Sequence, residues 1–481
     1  MVDVLWGIGG MIVILAIAVL FSVDRRRIRI RTVALALAIQ VGFGVLVLYV
    51  PAGRAALETV TLGVQAVINS SAAGIDFLFG PVLPEEGSVF AFQVLPVIVF
   101  FAALTSVLYY LGVLQWVVKI IGGGLSKLLG TTTPESMNAA ANIFVGQTEA
   151  PLVIRPYVPG MSRSELFAVM CGGLATVAGS VLVGYSLLGA PLEYLIAASF
   201  MAAPAALLMA KLLVPAGALE DAPDAAGAPG ADDDASSAAP DSGAGTDRGA
   251  GDPAQERRGA RRWLAGGTRR GATSHAALEI ARRQEDSRSD DPARVSATDA
   301  AGGPAEEDEA PANVIDAAAR GASDGLSLAL NVGAMLIAFI SLIALVNIVL
   351  GAVGGLFGQG ELTLEQILGY VFAPVMFAVG VPWVEALDAG SFLGQKLVLN
   401  EFVAFADFAP QIGDYSPKTQ AIVTFALTGF ANLGSLAILL GGLGGIAPSR
   451  RKDIARLGLL AVLGGTLANL MSATIAGMLI G

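Results

Sequence analysis

Two glutamates lie within largely apolar stretches of this 481-residue chain. Glu149 belongs to residues 135–158, and Glu401 belongs to residues 389–410. If these stretches are inside a membrane, a charge there costs at least about 2.5–3.5 kcal/mol on insertion scales, so each carboxylate needs a function or a partner. We interpret both glutamates as groups that face a polar substrate or a coupling ion. Protonation or an internal partner could instead neutralise either one.

Uncharged polar residues accompany both glutamates. Asn142, Gln147 and Thr148 interrupt the first stretch together with Gly146 and Pro151, and Asn400 interrupts the second. Backbone at membrane depth leaves the helical form only where protein or a water-filled cavity satisfies its polar groups. The two stretches are therefore predicted to be re-entrant hairpins whose tips reach the middle of the bilayer.

Each predicted hairpin precedes a long helix with a polar, glycine-containing centre. Residues 173–180 (GLATVAGS) align with residues 429–435 (GFANLGS) if one residue is skipped, which pairs Thr176 with Asn432. Units 135–214 and 389–480 thus share the order hairpin, broken helix, second helix, and they enter from opposite sides. Such an inverted repeat is typical of secondary transporters. Alternatively, polar side chains of this kind join helices to one another; this applies to Asn142, Thr176, Asn432 and Ser435.

The composition excludes an ordinary soluble protein. Hydrophobic residues make up 54% of the chain, charged residues make up 14%, and the mean hydropathy is +0.69. Runs of about 20 apolar residues predict spanning helices. We predict eight of them, at 4–22, 32–50, 90–113, 164–187, 192–214, 327–356, 418–445 and 454–480.

Cysteine and histidine are too scarce for most enzymatic sites. Cys171 is the single cysteine and His275 is the single histidine, so no intramolecular disulfide and no Ser-His-Asp triad within the membrane body can form. We therefore predict that the protein is not an enzyme and needs no cofactor. A membrane enzyme that uses the two carboxylates as acid and base is the weaker alternative.

Basic clusters predict the orientation. Five arginines between residues 25 and 31 follow the first span, and a second cluster at 450–456 precedes the last one. Because positive loops stay in the cytoplasm, both termini are expected outside the cell membrane. Residues 216–311 carry 20 acidic residues and 11 arginines and account for −9 of the net charge of −11. Their composition predicts a disordered cytoplasmic insertion, although a regulatory role for this segment is another possibility.

The predicted fold class is an all-α membrane protein with about eight transmembrane helices, two re-entrant hairpins in an inverted repeat, and interfacial helices. The expected divisions are 1–113 (helices 1–3 with an interfacial helix), 114–214 (first repeat, with hairpin 1 and helices 4–5), 215–312 (disordered cytoplasmic insertion), 313–356 (interfacial helix and helix 6) and 357–481 (second repeat, with hairpin 2 and helices 7–8).

Four motifs together resemble the concentrative nucleoside transporters. They are Gly146-Gln-Thr-Glu-Ala-Pro151, Thr176-Val-Ala-Gly-Ser180, Asn400-Glu-Phe402 and Phe425-Ala-Leu-Thr-Gly-Phe-Ala-Asn432. Residues 313–324 also look like that family, so the resemblance covers nearly the whole chain except 216–311. It implies a homotrimer in the cell membrane whose protomers each import nucleosides, with no nucleic-acid partner. In each protomer, helices 1–3 and 6 would belong to a scaffold domain that forms the trimer contact, and the two repeats would form a mobile transport domain that carries both hairpins.

The resemblance also implies which residues bind the substrate. Gln147, Thr148 and, through water, Glu149 would face the nucleobase. Glu401, Asn432 and Ser435 would hold the ribose, and Phe430 would lie against the substrate. The chemistry is reasonable, because an ionised carboxylate accepts hydrogen bonds from ribose hydroxyls, while glutamine and threonine both donate and accept.

Members of the family with these motifs use sodium, which implies a sodium site near the first hairpin tip. The matching positions are Asn142 and Thr176 through their side chains, and Val145 and Val177 through backbone carbonyls. Oxygen ligands at unwound backbone suit this ion. Other members use protons, so proton-coupled symport is the alternative. The chain departs from the family at two positions: the family often has cysteine where Thr428 stands and serine where Gly434 stands. Both positions flank the substrate motif, so these differences bear on which nucleobase is preferred.

Overall fold

The computed structural model describes residues 2–83, 89–219 and 311–480. Within these ranges the chain forms helices and no strands, which confirms the all-α prediction. The helices of the first half are α1 (Val2–Leu20), α2 (Ile30–Gly44), α3 (Pro51–Ser70), α4 (Ala72–Phe79), α5 (Phe90–Tyr110), α6 (Val113–Leu129), α7 (Thr133–Ala141), α8 (Arg163–Ala175), α9 (Gly179–Leu188) and α10 (Leu192–Leu213). Those of the second half are α11 (Val314–Gly355), α12 (Leu364–Ala378), α13 (Trp383–Val398), α14 (Glu401–Phe408), α15 (Pro417–Leu427), α16 (Leu433–Ile446) and α17 (Arg451–Ile480).

The membrane-spanning helices fall into two groups by burial. Helices α8, α9, α10 and α17 are almost completely buried, whereas α1, α2, α5 and α11 expose most of their apolar surface. Exposed apolar helix faces of this size suit lipid or another protomer. Seven of the eight predicted spans coincide with helices long and apolar enough to cross a bilayer, and the eighth, 418–445, is divided into α15 and α16.

Two scaffold elements differ from the sequence prediction. Residues 51–82, where we predicted no span, form helices that are also long and apolar enough to cross. The expected interfacial helix and sixth scaffold helix of 313–356 are one continuous 42-residue helix, α11. At about 1.5 Å per residue it is roughly 63 Å long, twice a typical hydrocarbon thickness. Close packing holds its first part on α5, because a Cβ on Gly321 would lie 2.5 Å from the Ser106 Cβ.

The element order repeats as the sequence predicted. In the first repeat α6 and α7 lead to the hairpin tip, and short 3-10 turns form the returning arm of the hairpin. The broken helix α8–α9 and the long helix α10 follow. In the second repeat α12 and α13 lead to a tip, α14 returns, and the broken helix α15–α16 and the long helix α17 follow. Helices α12 and α13 are bent by 117° relative to each other. The hairpins therefore span 133–160 and 383–414, slightly more than predicted.

The first hairpin opens at the arginine-rich end of the molecule. Arg27 donates a hydrogen bond to the Gly217 carbonyl, and Arg450 donates one to the Met161 carbonyl at the base of the hairpin. The Arg163 side chain lies 3.0 Å from Asp453. Both basic clusters therefore lie at the same end, as the sequence predicted.

The second hairpin opens at the opposite end, beside the N-terminus. Lys418 Nζ lies 2.6 Å from Asp3 Oδ1. Ser416, just before α15, donates a hydrogen bond of 2.8 Å to Glu385 in the first turn of α13. Because α1 runs from this end to the arginine-rich end, the two hairpins enter from opposite ends, which confirms the inverted repeat.

Most of the predicted insertion, 220–310, lies outside the described residues. Its first part, 215–219, lies within them and packs on the body of the protein: Ala218 is buried, and the Leu219 carbonyl accepts a 3.0 Å hydrogen bond from Arg163. The predicted disorder of 215–312 is therefore wrong for residues 215–219, and for 220–310 it stays a prediction.

Candidate functional site

The tip of hairpin 1 rests on the break between α8 and α9. Helix α7 ends at Ala141, and the chain turns from Asn142 to Glu149 before the 3-10 turn of 150–154. The backbone N–H of Gly179 donates a 3.0 Å hydrogen bond to the Phe144 carbonyl. Gly173 allows close approach, since a Cβ there would lie 2.8 Å from the Gln147 Cβ.

The first break consists of three buried residues whose backbone leaves the regular helix. Thr176 ends α8 in an extended conformation, and α9 starts after Ala178. The Thr176 hydroxyl donates to the Gly172 carbonyl at 2.8 Å, one turn back. The peptide carbonyls from Thr176 to Ala178 therefore cannot all enter the regular helical ladder.

The tip of hairpin 2 is shaped by a helix cap. Asn400 Oδ1 accepts a 2.9 Å hydrogen bond from the Val403 N–H, and this starts α14. Glu401 is therefore the first residue of α14, where the helix dipole favours a negative charge. Its side chain is almost completely buried, with 4% exposed.

The second break, residues 428–432, also ends in an asparagine cap. Asn432 Oδ1 accepts a 2.7 Å hydrogen bond from the Ser435 N–H and starts α16. The other end of the same amide, Nδ2, donates to Glu401 Oε2 at 2.8 Å. Hairpin 2 and the second broken helix are thereby joined at the predicted ribose-binding residues.

The two breaks touch each other. The Phe430 N–H donates a 3.1 Å hydrogen bond to the Thr176 carbonyl. On one side of this contact, the Tyr185 ring of α9 stacks on Phe405 at 4.4 Å and meets Phe402 edge-on at 4.8 Å. Hairpin 1, hairpin 2 and both broken helices therefore converge, and the predicted substrate and sodium residues are brought into one region.

The predicted pairing of Thr176 with Asn432 is wrong in register. Thr176 ends α8, as Thr428 ends α15, whereas Asn432 starts α16, as Ala178 starts α9. The breaks contain three and five residues, so an alignment with one skipped residue cannot match both flanking helices.

Buried oxygens without hydrogen-bond donors gather at hairpin 1. Asn142 Oδ1, Asn138 Oδ1 and Gln147 Oε1 are all buried and have no hydrogen-bond partner in the described part of the chain. Val145 and Val177, the predicted backbone ligands, are buried as well. Because unsatisfied buried acceptors are costly, this region suits a cation or the donors of a ligand.

Glu149 and Glu401 occupy corresponding places with different surroundings. Both lie at the start of the returning arm of a hairpin. Glu149 is exposed, and its Oε2 accepts a 3.1 Å hydrogen bond from the Gly146 N–H. Thr148 packs on α16, where a Cβ on Gly442 would lie 2.7 Å from the Thr148 Cγ2. The two carboxylates therefore differ in exposure and in the groups that donate hydrogen bonds to them.

Sequence reasoning missed three residues of this region: Tyr185, Lys396 and Asn469. Tyr185 and Lys396 are fully buried, and Asn469 is 2% exposed. Lys396, five residues before Glu401 in an apolar hairpin arm, was detectable by the same argument that singled out the glutamates. Asn469 carries no comparable signal, since an isolated amide in a long helix is common.

A separate polar cavity of about 560 Å³ lies between α11 and hairpin 2. Its carboxylates are Glu365, Asp388 and Asp407, and the Asp407 Oδ2 accepts a 2.6 Å hydrogen bond from Gln395. None of the predicted substrate or sodium residues lines it.

Comparison with known proteins identifies the family of the chain. Residues 9–82 match the family model "Na+ dependent nucleoside transporter N-terminus", and residues 279–477 match the model "Na+ dependent nucleoside transporter C-terminus". Residues 91–192 match the model "Gate: Nucleoside recognition". The uncharacterized transporter YutK of Bacillus subtilis is 50% identical over 99% of this chain and 100% of its own length. The nucleoside permease NupC of Helicobacter pylori is 43% identical over 99% and 98%.

A solved structure of CNTnw in an inward-facing, substrate-bound state is similar to this one throughout. The TM-score is 0.78 at 47% sequence identity, and the match covers 99% of this chain and 98% of that one. Three regions of the chain match the family, and its two hairpins meet at two broken helices. Together with the relatives above, this shows that the chain belongs to the concentrative nucleoside transporter family.

Proposed function

We propose that this protein imports nucleosides across the cell membrane by symport with sodium. The observation that carries the proposal is the buried Glu401 carboxylate, held by Asn432 where hairpin 2 meets the second broken helix. Vicinal hydroxyls of a ribose are suitable donors to such an acceptor, because hydrogen bonds to a charged group are stronger than neutral ones. Ser435 follows in the first turn of α16 and supplies a further polar group.

The nucleobase would lie toward hairpin 1. Gln147 offers a buried carbonyl oxygen without a donor, and Thr148 adds a hydroxyl. Glu149 would act through water, in line with its exposure. Phe430 is half-buried at the contact between the two breaks and would pack against the ligand.

Sodium would bind where hairpin 1 meets the first break. The candidate ligands are hard oxygen atoms of the kind this ion prefers: Asn142 Oδ1, the Thr176 hydroxyl and the carbonyls of Val145 and Val177. Asn142 Oδ1 has no hydrogen-bond partner among the described residues. A bound ion would draw the tip of hairpin 1 onto α8. That would order Gln147 and Thr148 and thereby couple ion binding to nucleoside binding.

Uptake of radiolabelled uridine into proteoliposomes tests this proposal. We expect accumulation of unaltered uridine with an inward sodium gradient and little without it. Equal uptake under both conditions, with a response to a proton gradient, would assign proton coupling instead. Chemically changed uridine after incubation would contradict transport without catalysis.

We further propose a homotrimer with both termini outside, in which the two hairpins and broken helices move together as an elevator against the exposed helices. Their mutual hydrogen bonds support movement as one unit. Light scattering in detergent should give the mass of three protomers, and a mass of one protomer would contradict the assembly.

A further inference from the structure

Lys396 is a completely buried lysine in the second repeat. It lies in the last turn of α13, with no exposed surface. Burying an ammonium group is costly unless hydrogen bonds and opposite charge compensate it. The groups around Lys396 therefore indicate the role of its positive charge.

The partners of Lys396 come from two further helices of the second repeat. Its Nζ donates to the Ala426 carbonyl in the last turn of α15 at 2.7 Å and to the Asn469 Oδ1 of α17 at 2.9 Å. Glu401 begins the next helix, five residues further along the chain. Because the carboxyl end of a helix carries partial negative charge, the ammonium lies where a cation is most stabilised.

Asn469 extends this network to the first repeat. Its Nδ2 donates to the Ala175 carbonyl at the end of α8 at 2.7 Å and to the Thr428 carbonyl at 2.8 Å. The carbonyl ends of both broken helices are thereby linked, through one amide, to one ammonium group.

In the first repeat the buried lysine lies elsewhere, since Lys211 of α10 pairs at 2.7 Å with Glu135 in the first turn of α7. The ends of the hairpin arm and the broken helix are arranged as in the second repeat. There the end of α7 approaches α8, since a Cβ on Gly172 would lie 3.3 Å from the Asn142 Nδ2. Helix α7 contains no basic residue, and the only one in α8 is Arg163 at its opposite end. Asn142 Oδ1 is left without a donor in the described part of the chain, whereas the Ala426 carbonyl at the end of α15 receives the Lys396 ammonium.

We propose that the Lys396 ammonium is a built-in cation that does for the second repeat what a bound sodium does for the first. It holds hairpin 2 and the α15 end together, so that Glu401 and Asn432 are ready for the ribose before any ion binds. Only hairpin 1 then depends on sodium, and each protomer binds one ion. This inference rests on the proposed sodium-coupled nucleoside transport.

Equilibrium binding of ²²Na⁺ to the purified full-length protein tests the ion count. We expect one saturable sodium per protomer in the wild type. Two would overturn the inference, since the second repeat would then take its own ion. A wild type that binds no sodium but still binds uridine would instead contradict the sodium coupling, and the variants below would decide the role of Lys396.

Lys396→Met removes the charge and keeps most of the volume. We expect at least tenfold weaker uridine binding at saturating sodium, with the ion count still one. Lys396→Ala also opens space beside the Ala426 carbonyl and Asn469 Oδ1, so we expect a second, weaker sodium to bind and to restore part of the uridine affinity. Uridine affinity within twofold of wild type in Lys396→Met would overturn the inference, whether or not Lys396→Ala folds.

Lys418→Met is the matched control. Lys418 lies on α15 and is also mostly buried, but it pairs with Asp3 at the far end of the helix. We expect unchanged uridine affinity and one sodium. An equal loss in this control would show that any buried charge on these helices has the same effect, and would overturn the specific role of Lys396.

Discussion

Asn432 and Glu401 are 31 residues apart in the chain and form a buried hydrogen bond of 2.8 Å between Nδ2 and Oε2. The same asparagine caps α16 through its Oδ1. One side chain therefore orients both the start of α16 and the Glu401 carboxylate. Replacing either residue should therefore leave the side chain of the other without this hydrogen bond.

Glu401→Gln should weaken uridine binding roughly ten- to hundredfold. A hydrogen bond to a charged group contributes about 1.5–3 kcal/mol, and about 1.4 kcal/mol is a factor of ten. Titration calorimetry on purified protein measures the loss. Glu193→Gln, at an exposed position in the first turn of α10, is the control and should bind normally. Near-normal affinity in Glu401→Gln would remove Glu401 from the site.

Asn142→Ala should raise the sodium concentration for half-maximal uridine uptake about tenfold, because one oxygen ligand is lost. At saturating sodium the affinity for uridine should be close to that of the wild type. Asn69→Ala is the control, because the Asn69 side chain on α3 bonds only to Gln65 among the described residues. It should change neither the sodium dependence of uptake nor the affinity for uridine. A uridine affinity reduced equally at every sodium concentration would make Asn142 a structural residue.

Gln147→Ala should weaken nucleoside binding about tenfold, and by different factors for uridine and adenosine, since the amide meets the base edge. The loss of binding free energy in Gln147→Ala should add to the loss in Glu401→Gln, because the two residues would hold different halves of the ligand. Competition against labelled uridine measures both. Identical factors for purine and pyrimidine nucleosides would contradict a contact with the base.

Asn469→Ala should lower the free energy of unfolding by about 2–4 kcal/mol, because the Ala175 and Thr428 carbonyls lose their buried donor and Lys396 loses an acceptor. Thermal unfolding followed by tryptophan fluorescence measures the change. Thr474→Val on the same helix removes only a local bond to the Leu470 carbonyl and should cost much less. Equal midpoints for Asn469→Ala and wild type would show that the network is not stabilising.

Replacing residues 220–310 by a short Gly-Ser linker should leave uridine uptake unchanged, because this strongly charged segment carries none of the predicted binding residues. Uptake normalised to the amount of inserted protein measures this. Lost uptake with normal insertion would assign the segment a role in transport.

Several features of the fold were predictable because each rests on local physics. Apolar length predicts spans, and polar interruptions such as Gln147 predict backbone that is not helical at membrane depth. The arginine clusters predict which loops share one end. The length of α11 was not predictable, since an interfacial helix and a span can join without a break whenever no residue between them disfavours a helix.

The amino-acid sequence by itself determined an all-helical membrane body, two hairpins in an inverted repeat, and the two glutamates, since the bilayer makes every charge and every helix interruption informative. The tertiary structure was needed to show that Asn432 is shared between a cap and Glu401, that Thr176 and Asn432 lie on opposite sides of their breaks, and that Lys396 meets Asn469. Asn432 and Glu401 are 31 residues apart, Lys396 and Asn469 are 73 residues apart, and Asn469 also bonds to Ala175 of the first repeat. Only the packing of the helices brings such atoms to hydrogen-bond distance.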